Sequence, residues 1–316
     1  MAVNTNYKGR ILVIDEMHNS LQELFNSIGW EIDYQPTIQR EEILKIIGDY
    51  QGLILRSKIR VDAEVIEKAK KLRFVGRAGA GFDNIDDQLL SQKNIFLFTA
   101  GEGNRDAVAE HTIGMLLVLL NKLFVADQEV RSKIWNREAN RGIELKGKTV
   151  GIIGYGNIGR ALAERLLGFG CKILAYDKYK SGYGDVFAKQ SSEQEIFEKA
   201  DILSLHVPLT EQNRNYFDDH YFQQFAKPIF FINTARGELV KFSTIRNMLE
   251  QKKWLGAALD VLENEKLHTL TPEQLTHFEW IAKQKNVILT PHIAGWTVES
   301  YKKINEVLAE KVAKNL

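Results

Sequence analysis

Cysteine occurs once in these 316 residues, at Cys171, so no disulfide can form within the chain and zinc-knuckle spacing is missing. No metal site is expected. Charge of one sign is lacking too: 42 Lys and Arg stand against 41 Asp and Glu, a net +1, which argues against a broad nucleic-acid surface and leaves room only for a small basic pocket. There is no long hydrophobic run. The longest, Ile113 to Leu120, is too short to span a bilayer, and the N-terminal "MAVNTNYKGR" has no apolar core of the signal-peptide kind. No internal repeat, low-complexity segment or Gly/Ser linker appears. A cytoplasmic protein with neither nucleic acid nor membrane as partner is expected. What is present is ordinary globular usage, 44% hydrophobic and 26% charged, over a length that suggests about two domains.

The first hundred residues alternate strand and helix. "RILVID", "EIDYQ", "GLILRS", "LRFVGRAG" and "IFLFTA" read as strands, and "NSLQELFNSIG", "REEILKIIGDY" and "DAEVIEKAKK" as helices. A long apolar helix follows, with Asn104 as its cap. A second series opens at Lys148: "TVGIIG", "CKILAYD", "DILSLHVP", "IFFINTA" and "GAALDV" as strands with helices between, then "VILTPHIAGW" and a terminal helix. Repeated β-α units of this length predict parallel sheets with helices on both faces.

The second series begins with "VGIIGYGNIGR". A strand runs into Gly154, Gly156 and Gly159, spaced G-x-G-x-x-G, and a helix follows. The first glycine allows the turn, the second lets backbone approach a pyrophosphate, and the third packs helix on strand. Phosphate then sits at the positive end of the helix. Asp177 ends the next strand, eighteen residues beyond Gly159. A carboxylate there accepts from ribose hydroxyls and repels a 2′-phosphate, so NAD is favoured over NADP. A proton carrier is harder to single out. Of seven histidines, His18, His111, His220, His268 and His277 lie in helical or polar contexts, whereas His206 and His292 both stand beside prolines at strand ends, where α/β sheets place ligands. On the residues alone the two are even.

The stretches "LRSKIRVDAEVI", "FVGRAGAGFDNID", "GEGNRDAVAEHTIG", "LKGKTVGIIGYGNIGRALAERL", "INTARGELV", "GAALDVLENE" and "LTPHIAGWT", in this order, resemble the D-isomer-specific 2-hydroxyacid dehydrogenases, and within them the D-3-phosphoglycerate dehydrogenases. The resemblance implies two doubly wound parallel-sheet domains. A Rossmann NAD-binding domain, 102–289, is inserted into a discontinuous flavodoxin-like substrate domain, 1–101 and 290–316. That explains a fingerprint beginning almost halfway along the chain. It also implies roles. His292 is the acid/base histidine and His206 lines the nicotinamide side. Glu265 is the partner carboxylate that fixes the imidazole tautomer, with Glu263 its local competitor. Arg236 binds the substrate carboxylate and polarises the reacting oxygen. Asp260 accepts from the nicotinamide carboxamide. The cofactor is further lined by Tyr155, Asn157, Ile158, Pro208, Thr234, Ala235 and Gly295. Backbone amides at Ala78, Gly79 and Ala80 complete carboxylate binding, with Ser57 and Asn104 facing substrate. One departure stands out: Lys266 follows Glu265 where the family commonly has proline.

Arg56, Arg77 and Arg137 stand where phosphoglycerate dehydrogenases gather charge for a distal phosphate, Arg137 at a place often served by the partner subunit. The resemblance therefore implies a homodimer that oxidises 3-phospho-D-glycerate to 3-phosphohydroxypyruvate, the entry to serine synthesis. With no regulatory domain beyond Leu316, feedback control by serine is expected to be missing. The nearest rival is glyoxylate or hydroxypyruvate reduction. A rival of another class is an NAD-sensing interaction protein like the C-terminal binding corepressors.

Overall fold

The structure, a computed structural model, describes residues 7–316, so the first six residues of the polar N-terminal stretch lie outside it. The chain divides into two compact units. One takes it up to Arg105 and again over Trp296–Leu316, and the other is Asp106–Gly295. Among the described residues no single helix is long and apolar enough to cross a membrane.

The first unit is built on five parallel strands: β1 (Gly9–Val13), β2 (Trp30–Tyr34), β3 (Gly52–Leu55), β4 (Phe74–Arg77) and β5 (Phe96–Thr99). Their order is β2-β1-β3-β4-β5, the flavodoxin-like order, with its switch point between β1 and β3. Alternate side chains feed different cores. Leu12, Leu53, Leu55 and Val75 join one cluster, and Ile11, Val13, Ile54 and Phe74 the other. Strands buried on both faces read as unbroken apolar runs, which is why the sequence shows them plainly. Helices Ala63–Lys68 and Asp87–Gln92 begin where Asp62 and Asp86 accept the backbone N–H groups of Val65 and Leu89. The terminal helix Val298–Asn315 supplies Ile304, Leu308 and Val312 to the second cluster.

The second unit has seven parallel strands: β6 (Thr149–Ile153), β7 (Lys172–Tyr176), β8 (Lys189–Gln190), β9 (Ile202–Leu205), β10 (Ile229–Asn233), β11 (Trp254–Leu259) and β12 (Val287–Leu289). Their order, β12-β11-β10-β9-β6-β7-β8, is the Rossmann order with one further strand, and its switch point falls between β6 and β9. Ile202 and Leu203 again point into different cores.

The long helix differs from its expected start. It runs over Gly101–Leu120, so Asn104 is in its first turn and does not cap it. The earlier start is possible because Gly103 lies against the terminal helix, where a Cβ would come 2.7 Å from the Ile304 nitrogen. Glu102 is also held there by Lys311 at 2.8 Å. These contacts keep the first turn of the long helix with the first unit, four residues past the expected boundary at 101.

Candidate active site

β6 runs into Gly154, whose φ of +95° suits only glycine, and where a Cβ would stand 2.4 Å from the His206 carbonyl oxygen. The turn thus fits against the end of β9, across the switch point. Gly159 packs as closely, its Cβ position 2.2 Å from the Gly154 oxygen. Gly156 has open space where a side chain would go. It begins helix Asn157–Leu167, which no side chain caps, with Asn157 and Ile158 in the first turn. Asp177, just past β7, accepts from the Tyr155 N–H at 3.0 Å and the Tyr179 N–H at 3.1 Å, tying the strand-end acid to the glycine turn. Tyr155 itself is buried and donates to Asp185 at 2.8 Å.

His292 stands in the turn after β12. Its Nδ1 lies 2.9 Å from Glu265 Oε1 and 3.1 Å from Oε2. Its φ is +56°, a left-handed conformation that costs a non-glycine residue about 1–3 kcal/mol and persists only where its surroundings impose it. Asp260 imposes it. Fully buried at the end of β11, its carbonyl accepts the His292 N–H at 2.7 Å, while its carboxylate accepts from Ile293 N–H at 2.9 Å and Ala294 N–H at 2.8 Å. Those bonds hold the turn with the second unit through Gly295, beyond the expected boundary at 289. Glu263, the competing carboxylate, is used elsewhere. It accepts from the Phe242 N–H at 2.7 Å, at the start of helix Phe242–Glu250, and from Gln274 at 3.2 Å. Lys266 brings an N–H that proline would lack. It donates to Asn264 Oδ1 at 3.0 Å and closes the turn that presents Glu265.

His206 follows β9 at the switch point. Its Nε2 bonds Ser204 at 2.8 Å, its Nδ1 is buried without a partner, and burial pushes its pKa down to about 4. Beyond it Pro208 is exposed, its carbonyl bonded by Asn213. Arg236 follows β10 in a turn braced by Asn233, whose side chain donates to the Arg236 carbonyl at 2.9 Å and accepts from the Ala235 N–H at 3.0 Å. Thr234 is buried against Thr112 at 3.2 Å.

In the first unit, Arg56 leaves β3 at the flavodoxin-like switch point. Its N–H donates to Asp15, just past β1, at 2.6 Å. Its guanidinium stacks on Trp296 at 3.7 Å and reaches over Tyr301 at 5.4 Å, and burial lowers its pKa. Ser57 beside it is exposed. Arg77 ends the neighbouring strand β4 but turns back on its own chain, donating to the Ala78 carbonyl at 2.8 Å. The expected run of amides is mostly spent. Ala78 N–H donates to the Leu55 carbonyl and Gly79 N–H to the Arg77 carbonyl. The cause is that Ala78 continues the β3–β4 pairing. Asn104 Oδ1 is buried without a partner. Arg137 belongs to the second unit and lies in an open pocket with Glu129, Val130, Ile134 and Trp135.

Residues 113–294 match the pattern of the D-isomer specific 2-hydroxyacid dehydrogenase, NAD binding domain. The chain belongs to the D-isomer-specific 2-hydroxyacid dehydrogenase family. It is 32% identical over 305 residues to the D-3-phosphoglycerate dehydrogenase of Archaeoglobus fulgidus, a match covering 96% of this chain and 56% of that protein. Against the hydroxypyruvate reductase of Thermotoga maritima it is 34% identical over 279 residues, covering 88% of this chain and 89% of the other. The fold matches that of a D-lactate dehydrogenase from Aquifex aeolicus, solved with NAD and lactic acid, with a TM-score of 0.81 at 25% identity, covering 96% and 94% of the two chains. The chain thus spans about half the length of the phosphoglycerate dehydrogenase.

The matched domain is the family's NAD-binding domain, and the glycine turn fits that cofactor by its own geometry. Open space at Gly156, an uncapped helix start and a carboxylate at the end of β7 are what a dinucleotide needs. Two supporting residues were missed in the sequence. Asn264 and Thr290 brace the segments that carry Glu265 and His292, and nothing in the local pattern marks either.

Proposed function

We propose that His292 and Glu265 move the proton, and Arg236 holds the carboxylate, in the interconversion of a D-2-hydroxy acid and its keto acid. We propose further that the substrate carries a second anionic group, with 3-phospho-D-glycerate as first candidate. The observation that carries the proton chemistry is the His292–Glu265 contact. NAD, when bound, takes the hydride from the hydroxyl-bearing carbon. Glu265 accepts the Nδ1–H, so Nε2 of a neutral His292 is the nitrogen left to take the hydroxyl proton. Arg236 lies at the end of a strand, where ligands of such sheets bind, and a guanidinium is the group that matches a carboxylate, though one of its nitrogens donates to the Ala235 carbonyl at 2.7 Å.

A distal anion is supported by Arg56, a part-buried cation held rigid by aromatic stacking at the other switch point. The second reading is hydroxypyruvate or glyoxylate reduction. It is favoured by the near-complete coverage of the hydroxypyruvate reductase and by the turning of Arg77 onto Ala78. Arg56→Gln decides between them. Charge-assisted hydrogen bonds contribute about 1.5–3 kcal/mol, so kcat/KM for phosphoglycerate should fall roughly 10- to 100-fold while glycerate and hydroxypyruvate are spared. Equal losses on all three would hand the assignment to the reductase. Absence of turnover on any of them, with NADH still bound, would favour an NAD-sensing role.

A second copy of the chain is the partner we infer. Phe124, Val130, Ile134 and Trp135 are exposed together, Trp135 by 79%, and Arg137 sits beside them. An apolar patch rimmed by polar residues supports an interface, and it is consistent with Arg137 serving the neighbouring subunit's substrate.

A further inference from the structure

His111 is carried by the long helix, and its sequence context set it among the ordinary histidines. In the fold its Nε2 lies 3.2 Å from Thr290 Oγ1 and 3.7 Å from Asp260 Oδ1. Counting protons gives this contact a direction. An ionised carboxylate only accepts, and a threonine hydroxyl has one hydrogen to give. Thr290 gives it to Asp260 Oδ1 at 2.6 Å. The Thr290 oxygen is then an acceptor, so His111 Nε2 carries the hydrogen and donates. The same Asp260 carboxylate receives the N–H groups of Ile293 and Ala294, the two residues after His292, and the Asp260 carbonyl receives the N–H of His292 itself.

We propose that His111 is a positioning residue for the reaction. Through Thr290 and Asp260 it locks the 290–294 turn in the conformation that keeps the His292 ring in contact with Glu265. His111 touches no substrate. Its donated bond holds the Thr290 hydroxyl on Asp260, and the alternative acceptor for that hydroxyl, Met115 Sδ at 3.8 Å, is a poor one. With the donor gone, the Thr290 oxygen loses its partner, the charge on a fully buried carboxylate is less well met, and the turn at His292 φ +56° is less tightly imposed.

The inference rests on His292 as the proton carrier, and its test separates the two. His111→Leu removes the donor at similar volume, His111→Gln keeps a terminal N–H, and Thr290→Val removes the hydroxyl without changing shape. The readouts are steady-state kinetics with hydroxypyruvate or glyoxylate, whichever the unaltered enzyme reduces faster, and NADH affinity from tryptophan fluorescence. A misplacement of about 1 Å can cost ~100-fold, so His111→Leu and Thr290→Val should each lower kcat roughly 10- to 100-fold with KM and NADH affinity nearly unchanged. His111→Gln should recover most of the loss, and the Leu/Val double variant should be no worse than either single one, because the two residues act in series. If His111→Leu does not fold, Thr290→Val and His111→Gln carry the test. Unchanged kcat, losses that simply add in the double variant, or a fall in NADH affinity matching the fall in kcat would each overturn the proposal. His292→Gln with turnover intact would overturn the proton-carrier reading and this inference together. Loss in His292→Gln beside an indifferent Thr290→Val would overturn this inference alone.

Discussion

Two histidines beside prolines at strand ends have the same local signature and opposite environments. His206 is packed with one nitrogen unpartnered, and burial holds its pKa near 4, so it stays neutral at any pH where a proton must be carried. His292 has a carboxylate at 2.9 Å and a half-exposed ring. Substituting His292 by Gln should therefore cost roughly 100- to 10,000-fold in kcat, the usual contribution of a general acid–base group, while NADH still binds. A variant with near-normal kcat would remove His292 from the mechanism. The prediction for His206 concerns stability. Its pKa falls from 6.5 to about 4 on folding, so the unfolded chain binds the extra proton between those values. The contribution is present in full above pH 6.5 and is lost as pH drops towards 4, by roughly 3 kcal/mol. Urea unfolding at pH 7 and pH 4.5 should show that loss in the parent protein and little of it in His206→Asn. Parallel losses in both would place the acid sensitivity elsewhere.

Elements are legible where their residues carry the signal themselves. The buried strands announce themselves as apolar runs, and Gly154 and Gly159 mark a turn whose backbone tolerates no side chain. Gly159→Ala would drive a Cβ against the Gly154 carbonyl, and overpacking of this kind typically costs about 1–3 kcal/mol. A lower thermal midpoint and weaker NADH binding are expected together, and an unchanged midpoint would mean that the helix can shift off β6. Helix Pro272–Ala282 had its signal and went unread. Thr271, proline at the first position and Gln274 form a capping box, with Thr271 accepting the Gln274 N–H at 3.2 Å. β8 is two residues of lysine and glutamine, with no apolar signal to read.

At the scale of the molecule, the exposed patch over 123–137 predicts self-association. Leu123–Arg131 is a helix with no buried residue, and Ile134 and Trp135 follow it in the open. Buried aromatic anchors commonly contribute about 2 kcal/mol or more to an interface, so Trp135→Glu with Phe124→Glu should halve the sedimenting mass from two chains to one. A parent protein that already sediments as a single chain at micromolar concentration would refute the dimer.

The alternation of strand and helix and the nucleotide turn could be read from the chain alone, because both are written in neighbouring residues: an apolar period, a glycine spacing, an acid at a strand end. The order of the strands in each sheet could not, because it is set by which strands pair across long separations in the chain. The choices inside the site could not. The contact of His292 with Glu265, the use of Glu263 at the Phe242 helix, the loss of the Ala78 amide to Leu55 and the bonds of Asp260 to the 292–294 turn all depend on hydrogen-bond partners brought from other segments. His111 shows it most plainly, since its partner Thr290 is 179 residues away along the chain. A polar side chain takes its role from the groups that meet it, and those are known only once the backbone has closed around it.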